Sequence, residues 1–448
     1  MTSGANPFGG CCGGSAAPIM LRCAQLQGMF VSQRLDGSGS LHRSRHERPL
    51  SGGCKGIALV LSGLGAGGTE RVACSLANHW ASDGRKIHVI ALDRENDPSY
   101  YDYHTDVELV RLGLPPQRRP AAQAALAIAR RALAIRNAIR NAAPDVVLSF
   151  LTRQNILTLA ATRGMSVPVV VSERSNPERQ HPGPLWHWLR NRLYPRAARL
   201  VVMTNGARDF FSPAIAARTS IIPNPVVLPS GWRARRGNNR LVAVGRLETV
   251  KRFDRLLRAF HAVAARHPAW TLTIWGEGPE RAALEQLTRR LGLDGRVELP
   301  GVTEMPGGWI ETADAFVLTS DYEGWPNVLA EAMASGLPVI AVDCPHGPSD
   351  MIRHRHDGFL VSPDEPADLT AAIDELLGDP LLRDRLGTAS AASAARFAPA
   401  PIMDLWEEIV ADVCGRTMPK APSPVSVGDR RAGRAGRELP QPQGGPAG

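Results

Sequence analysis

The stretch DYEGWPNVLAEAMASGLPVIAVDCPHGPSD, residues 321–350, decides the fold. Immediately before it runs ADAFVLTS (313–320), and within it lies LPVIAVDC (337–344), two short apolar runs of the kind that form buried strands. The segment between them predicts a helix, with Pro326 suited to its first position and Gly336 suited to its end. Glu323 then falls in the turn that leaves the C-terminal end of a strand, where open α/β sheets bind ligands. Glu331 falls about one turn into the helix.

An ionised carboxylate accepts with two oxygens, which matches the two O–H donors of a vicinal diol. Riboses and pyranoses carry such diols, and a helix N-terminus beside them favours phosphate. Sugar, ribose and phosphate together describe a sugar nucleotide. Two glutamates near a helix start also serve capping and solubility in many proteins, so the binding role rests on the company this pair keeps.

Working outward, strands alternate with helices in two successive sets. GIALVLSG (56–63), KIHVIALD, PDVVLSF, VPVVVSE and ARLVVMT form the first set, with TERVACSLANHWASDG a helix closed by Gly84. RLVAVGRL, WTLTIWGEG, GRVELPG, ADAFVLTS and LPVIAVDC form the second, after the Pro-rich crossing SIIPNPVVLPSGW (220–232). This alternation predicts parallel, doubly wound sheets. The fold class is α/β, two Rossmann-like domains whose parallel sheets face a central cleft. The expected limits are 55–227 for the first domain, 228–400 for the second and 401–414 for a closing amphipathic helix carrying Trp406. The ends, 1–54 and 415–448, are rich in Gly, Pro and Arg and read as disordered.

Charge is unevenly spread. The two ends hold +7 of the formal +9, while residues 55–227 carry +10 and residues 228–414 carry −8. With aromatics at 5%, this is not the pattern of a nucleic-acid binder, and no nucleic acid is expected as partner. It fits a first domain that faces an anionic acceptor or membrane surface. Four of the seven cysteines (Cys11, Cys12, Cys23 and Cys54) fall in the N-terminal end and none forms a C-x2-C pair, so neither a disulfide framework nor a zinc site is expected. No apolar run reaches bilayer length, and APIMLRCAQLQGMF is too short and too polar for a secretory signal. The expected location is cytoplasmic, with possible peripheral contact to the inner membrane leaflet.

In the second domain, VGRLETVKR places Arg246 and Lys251 five apart in a loop after a strand, where two cations can flank a diphosphate. IWGEGPE, with Gly276 and Gly278, lets backbone approach a ligand. DCPHGPSD, with His346 and Gly347, and HDGFLVSP, with Gly358, add tight turns at strand ends.

The chain resembles the retaining glycosyltransferases of family 4, which have the GT-B fold. The residues that carry the resemblance are GRLETVK, GEGPE, EGWPNVLAEAMASGLPVIA, CPHGPSD and DGFLV, with SGLGAGGTERV, VSERSNP and IPNPV in the first half. The resemblance implies that Arg246 and Lys251 hold the donor diphosphate, that Glu323 contacts the donor sugar hydroxyls and that Glu331 contacts the ribose. Gly276 and Glu277 join the donor side, as do the backbone N–H groups of Asn327 and Val328. Gly67, Gly68 and Thr69 would form a loop over the diphosphate and acceptor. The donor implied is a nucleotide-diphosphate sugar, a UDP-sugar by preference, and the acceptor a hydroxyl of a lipid-linked or cell-envelope saccharide. No D-x-D occurs in the core, so no metal or other cofactor is expected and the cations neutralise the leaving group. The resemblance also implies front-face departure with retention, the leaving phosphate taking the acceptor's proton.

One departure concerns catalysis. Many relatives carry a histidine near the donor sugar after the strand that corresponds to VPVVVSE, where this chain has Glu173 and Arg174. Glu173 either takes the histidine's place or pairs with Arg174. Rival readings are a sugar-nucleotide epimerase, a non-catalytic sensor and a dehydrogenase binding NAD. The last rests on G-x-G-x-x-G at Gly63, Gly65 and Gly68, followed by Asp93. Finally, the helix at 121–141, with Arg130, Arg131, Arg136 and Arg140, and LWHWLRNRLYPRAAR (185–199), with Trp186, Trp188 and Tyr194, have the composition of segments that lie on an anionic leaflet.

Overall fold

In the computed structural model the described residues are 53–415, apart from 117–119, 180–182, 229–236, 304 and 306. The expectation of disordered ends therefore lies outside the described residues, except at Gly53, Cys54 and Gly415. Cys54, assigned to the tail by sequence, is buried in the first core.

The first sheet contains β1 (Gly56–Leu61), β2 (Lys86–Ala91), β3 (Val107–Arg111), β4 (Val146–Phe150), β5 (Val169–Ser172), β6 (Arg199–Val202) and β7 (Thr219–Ile221). Its order is β3-β2-β1-β4-β5-β6-β7 and every neighbouring pair is parallel. The helices among these strands are α1 (Gly68–Ser82), α2 (Ala121–Ala142), α3 (Thr152–Ala161), α4 (Pro184–Leu193), α5 (Asn205–Asp209) and α6 (Pro213–Ala216).

The second sheet contains β8 (Arg240–Val244), β9 (Thr271–Trp275), β10 (Val297–Gly301), β11 (Ala315–Leu318), β12 (Val339–Val342) and β13 (Phe359–Val361), ordered β10-β9-β8-β11-β12-β13 and again parallel throughout. It is covered by α7 (Phe253–Ala264), α8 (Arg281–Arg290), α9 (Asn327–Ala334), α10 (Pro348–Met351), α11 (Pro366–Gly378) and α12 (Pro380–Ala394), and the chain continues into α13 (Pro399–Val413).

Both sheets reverse their winding between two strands, β1 and β4 in the first and β8 and β11 in the second. Loops at such a point splay apart and leave a crevice beyond the strand ends. The central strands are almost wholly buried, which is why they appear in sequence as unbroken apolar runs. The edge strands β3, β7 and β13 lack that signature. β7 falls in the stretch taken as a Pro-rich crossing, and β13 in a stretch taken as a turn.

The closing helix α13 does not stay with the second sheet. Ile402, Met403, Trp406 and Val410 enter the first core beside Leu59, Trp80 and Phe150, and Trp406 lies 6.1 Å from the Phe150 ring. Glu407 accepts from Trp80 Nε1 at 3.1 Å and from Arg85 Nη2 at 2.6 Å. The chain thus passes between the halves twice. The two crossings are joined where the Val226 N–H donates to the Phe397 carbonyl at 2.8 Å.

Candidate active site

Arg246 and Lys251 leave the end of β8, and Glu323 leaves the end of β11, so all three occupy the winding reversal of the second sheet. A short 3-10 turn, Thr249–Lys251, is clamped to that strand end. Asp321 N–H donates to the Val250 carbonyl at 2.9 Å and Thr319 Oγ1 to the Lys251 carbonyl at 2.8 Å. The clamp delivers Lys251 Nζ to Glu323 Oε1 at 2.7 Å, and Ser320 Oγ donates to the same oxygen at 2.7 Å. The Lys251 and Glu323 side chains are only 18% and 12% exposed, so each is held largely out of water by the other's charge. Arg246 behaves differently. Its side chain is 77% exposed and turns to Glu248 at 2.5 Å.

Pro326 stands at the N-cap of α9 rather than at the first helical position, and Asn327 opens the helix. The C-terminal end forms as sequence predicts. Gly336, at φ 83°, donates to the Met333 carbonyl at 3.0 Å and Leu337 to Ala332 at 3.1 Å, a pair of bonds that satisfies the last carbonyls. Glu331 projects from α9 toward the first sheet and faces Arg71 Nη1 of α1 at 3.8 Å. Burial pushes its pKa up and the Arg71 charge only partly offsets this.

The glycines of GEGPE have another use than ligand approach. A Cβ at Gly276 would lie 1.8 Å from the Gly245 carbonyl oxygen, and one at Gly278 2.4 Å from that of Leu247. At φ 145° and 159° they let the β9 loop pack on the β8 loop that carries Arg246. Glu277 is exposed and bound to Arg281 at 2.6 and 2.9 Å.

On the facing wall, Gly67 is the N-cap of α1 and Gly68 and Thr69 are its first residues. A Cβ on Gly68 would stand 3.5 Å from Asn327 Nδ2, so the starts of α1 and α9 meet across the cleft. Glu70 folds back over Gly67, and burial raises its pKa. Asp93 is committed to the β1 loop, where it accepts from the Leu64 N–H at 2.5 Å.

Glu173 does not pair with Arg174. It is 1% exposed at the end of β5 and accepts from Tyr194 Oη and from Thr152 Oγ1, the latter at 2.8 Å. Burial drives its pKa up against those hydrogen bonds. Arg174 instead donates to Asn224 Oδ1, and Asn224 Nδ2 donates to Asn327 Oδ1 at 2.9 Å. This relay ties the end of β5 to the start of α9.

Sequence reasoning missed Arg71, Asn176 and Asn224 as cleft residues. Asn176 Nδ2 donates to the Glu323 carbonyl at 3.4 Å. A Cβ on Gly324 would come within 3.1 Å of the Asn176 backbone nitrogen, so that glycine admits the close approach. Asn224 lies within IPNPV and Asn176 within VSERSNP, both already noted as motifs, so the only available signal was membership of a motif.

Residues 238–379 match the family model "Glycosyl transferases group 1" and residues 67–225 the model "Glycosyl transferase 4-like domain". The two matches cover most of the chain, one on each sheet, and the chain belongs to the group 1 glycosyl transferases. An exopolysaccharide phosphotransferase of Streptomyces coelicolor is 34% identical over 228 residues, which span 50% of this chain but only 24% of that relative's length. The Campylobacter jejuni enzyme named GalNAc-alpha-(1->4)-GalNAc-alpha-(1->3)-diNAcBac-PP-undecaprenol alpha-1,4-N-acetyl-D-galactosaminyltransferase is 26% identical over 372 residues, 80% of this chain and 98% of its own length. Among solved structures, Anabaena Alr3699/HepE in complex with UDP superposes with a TM-score of 0.64 at 19% identity, covering 80% of this chain and all of that one. The fold is GT-B.

Proposed function

We propose that this chain is a retaining glycosyltransferase that moves a sugar from a nucleotide-diphosphate donor, a UDP-sugar, to a hydroxyl of a lipid-linked or cell-envelope saccharide. The observation that carries the reading is the Lys251–Glu323 pair at the winding reversal of the second sheet, with Glu331 one helix turn away. A donor phosphate competes for Lys251 and releases the Glu323 carboxylate to accept from sugar hydroxyls. Arg246, extended into solvent, swings in as the second cation. Glu331 accepts from the ribose diol, and the free N–H groups of Asn327 and Val328 face the phosphate. The acceptor hydroxyl attacks the anomeric carbon on the face that the diphosphate leaves. Its proton passes to the leaving phosphate, whose growing charge the two cations stabilise without a metal.

The acceptor class draws support from the C. jejuni relative, whose name specifies an undecaprenol-linked glycan. It also draws on the outer surface of α2 and α4. Leu126 and Leu133 are exposed with Arg130 and Arg140 on α2, Leu185 and Trp188 with Arg192 on α4, and Arg196 in the turn that follows it. Not every arginine counted in sequence is available. Arg131 and Arg136 cap backbone carbonyls, Arg190 is buried over Phe210, and Arg199 pairs with Asp412. No helix among the described residues is long and apolar enough to cross a membrane. The four exposed arginines with Trp188 are therefore read as a peripheral contact to an anionic leaflet.

A thermal-shift panel of UDP-, GDP- and ADP-sugars, followed by release of free nucleotide with and without a chelator, tests the reading. Stabilisation by UDP-sugars and chelator-resistant turnover are expected. No stabilisation by any sugar nucleotide would defeat it, and conversion of the donor sugar without its release would favour the epimerase.

A further inference from the structure

We propose that His346 is a positioning residue, a docking post by which the turn after β12 seats in a slot on the first wall and thereby fixes the turn that carries Glu323. It deepens the transfer reading, and only its kinetic readout rests on that reading.

His346 has φ 65°, in the left-handed region that disfavours a non-glycine residue, so its surroundings must hold it there. Its neighbour Gly347, at φ 108°, packs against the donor-site turn. A Cβ on Gly347 would lie 2.7 Å from Pro326 Cδ and 3.9 Å from Glu323 Cβ. The His346–Gly347 turn is thus the backing of Glu323.

The imidazole points the other way, into the first domain. It is 7% exposed, and neither ring nitrogen has a hydrogen-bond partner among the described residues. Its Nε2 lies 3.4 Å from Glu178 Oε2. A Cβ at Gly206, in α5, would stand 2.4 Å from His346 Nδ1. The slot is therefore open only because residue 206 is glycine. Four residues beyond the histidine, Asp350 Oδ1 accepts from the Asn205 N–H at 3.2 Å and from its side-chain amide at 2.5 Å, which keeps the same loop against the same helix start.

A steric swap tests the post. Gly206 has no positive φ, so in its short helix alanine is the better residue by propensity. Gly206→Ala alone is therefore harmless unless the imidazole needs that space. With the post unseated, nucleotide release from the best donor of the panel is expected to fall at least about tenfold through misplacement of Glu323. The thermal shift given by UDP alone should stay unchanged, and hydrogen exchange at residues 346–351 should quicken. In a His346→Ala background the added Gly206→Ala should change neither exchange nor turnover. Equal effects of Gly206→Ala in both backgrounds, or none in the wild-type background, would overturn the proposal. If the wild-type protein neither shifts with UDP nor releases nucleotide, the transferase reading fails, and the exchange measurement still decides the post by itself.

Discussion

On the second-sheet wall of the cleft Lys251 is paired with Glu323 and Arg246 with Glu248, while Glu331 faces Arg71 of the other wall. On the first-sheet wall the corresponding places hold glycines at the start of α1, the amides Asn176 and Asn224, and a glutamate withdrawn behind Tyr194 and Thr152. The first wall carries the larger positive charge in sequence, yet much of that charge lies away from the cleft or caps carbonyls. The difference teaches that the second-sheet wall presents placed ions, whereas the first wall, Arg71 apart, presents close approach and shape.

The largest expected effect breaks the link between the walls. Trp406→Ala removes the ring that anchors α13 to the first core and should cost about 3–5 kcal/mol of unfolding free energy, read from denaturant melts. A cost below 1 kcal/mol would mean that the helix is not held by this core.

Next comes the paired wall itself. Lys251→Ala leaves Glu323 buried without its cation, and turnover should fall by roughly 100-fold or more, measured as nucleotide release. Glu323→Gln should fall comparably with less change in nucleotide affinity. A Lys251→Ala protein with wild-type turnover would dissolve the contrast between the walls.

A smaller effect concerns Glu331 and pH. Burial raises its folded-state pKa above that of the unfolded chain, so the ionised carboxylate costs stability above the raised value. That cost fades as pH falls through the raised value toward the ordinary 4.5. Protonation also turns one of the two acceptor oxygens offered to a ribose diol into a donor. Lowering pH toward 4.5 should therefore weaken donor binding while relieving this part of the instability, and Glu331→Gln should weaken donor binding by about tenfold and flatten both trends. Calorimetric titration of UDP at several pH values checks it.

The smallest effect falls on the first wall. Glu173 is enclosed by hydrogen-bond donors, so Glu173→Gln should leave donor affinity unchanged and reduce turnover less than about tenfold. A larger loss would place its carboxylate in the chemistry and make the two walls alike.

The donor wall was legible because each of its residues follows a strand with a continuous apolar signature, and short connections keep a residue near the strand end that precedes it. Arg246, Lys251, Glu323 and Glu331 could be named on that basis. Their pairing could not, since Lys251 and Glu323 lie 72 positions apart and meet only when β8 and β11 become neighbours. The edge strands β3 and β7 escaped notice because their half-exposed residues leave no continuous apolar run.

The sequence by itself determined two parallel doubly wound sheets and the strand-end turns that carry Arg246, Lys251 and Glu323. Each is a local matter of period, turn chemistry and charge type within some thirty residues. Tertiary structure alone decided that α13 returns to the first core, that the GEGPE glycines serve loop on loop, that Glu173 faces Tyr194 and Thr152, and that His346 enters a space left by Gly206. These depend on distances between segments remote in the chain, where close packing and the loss of water, rather than local preference, select one arrangement.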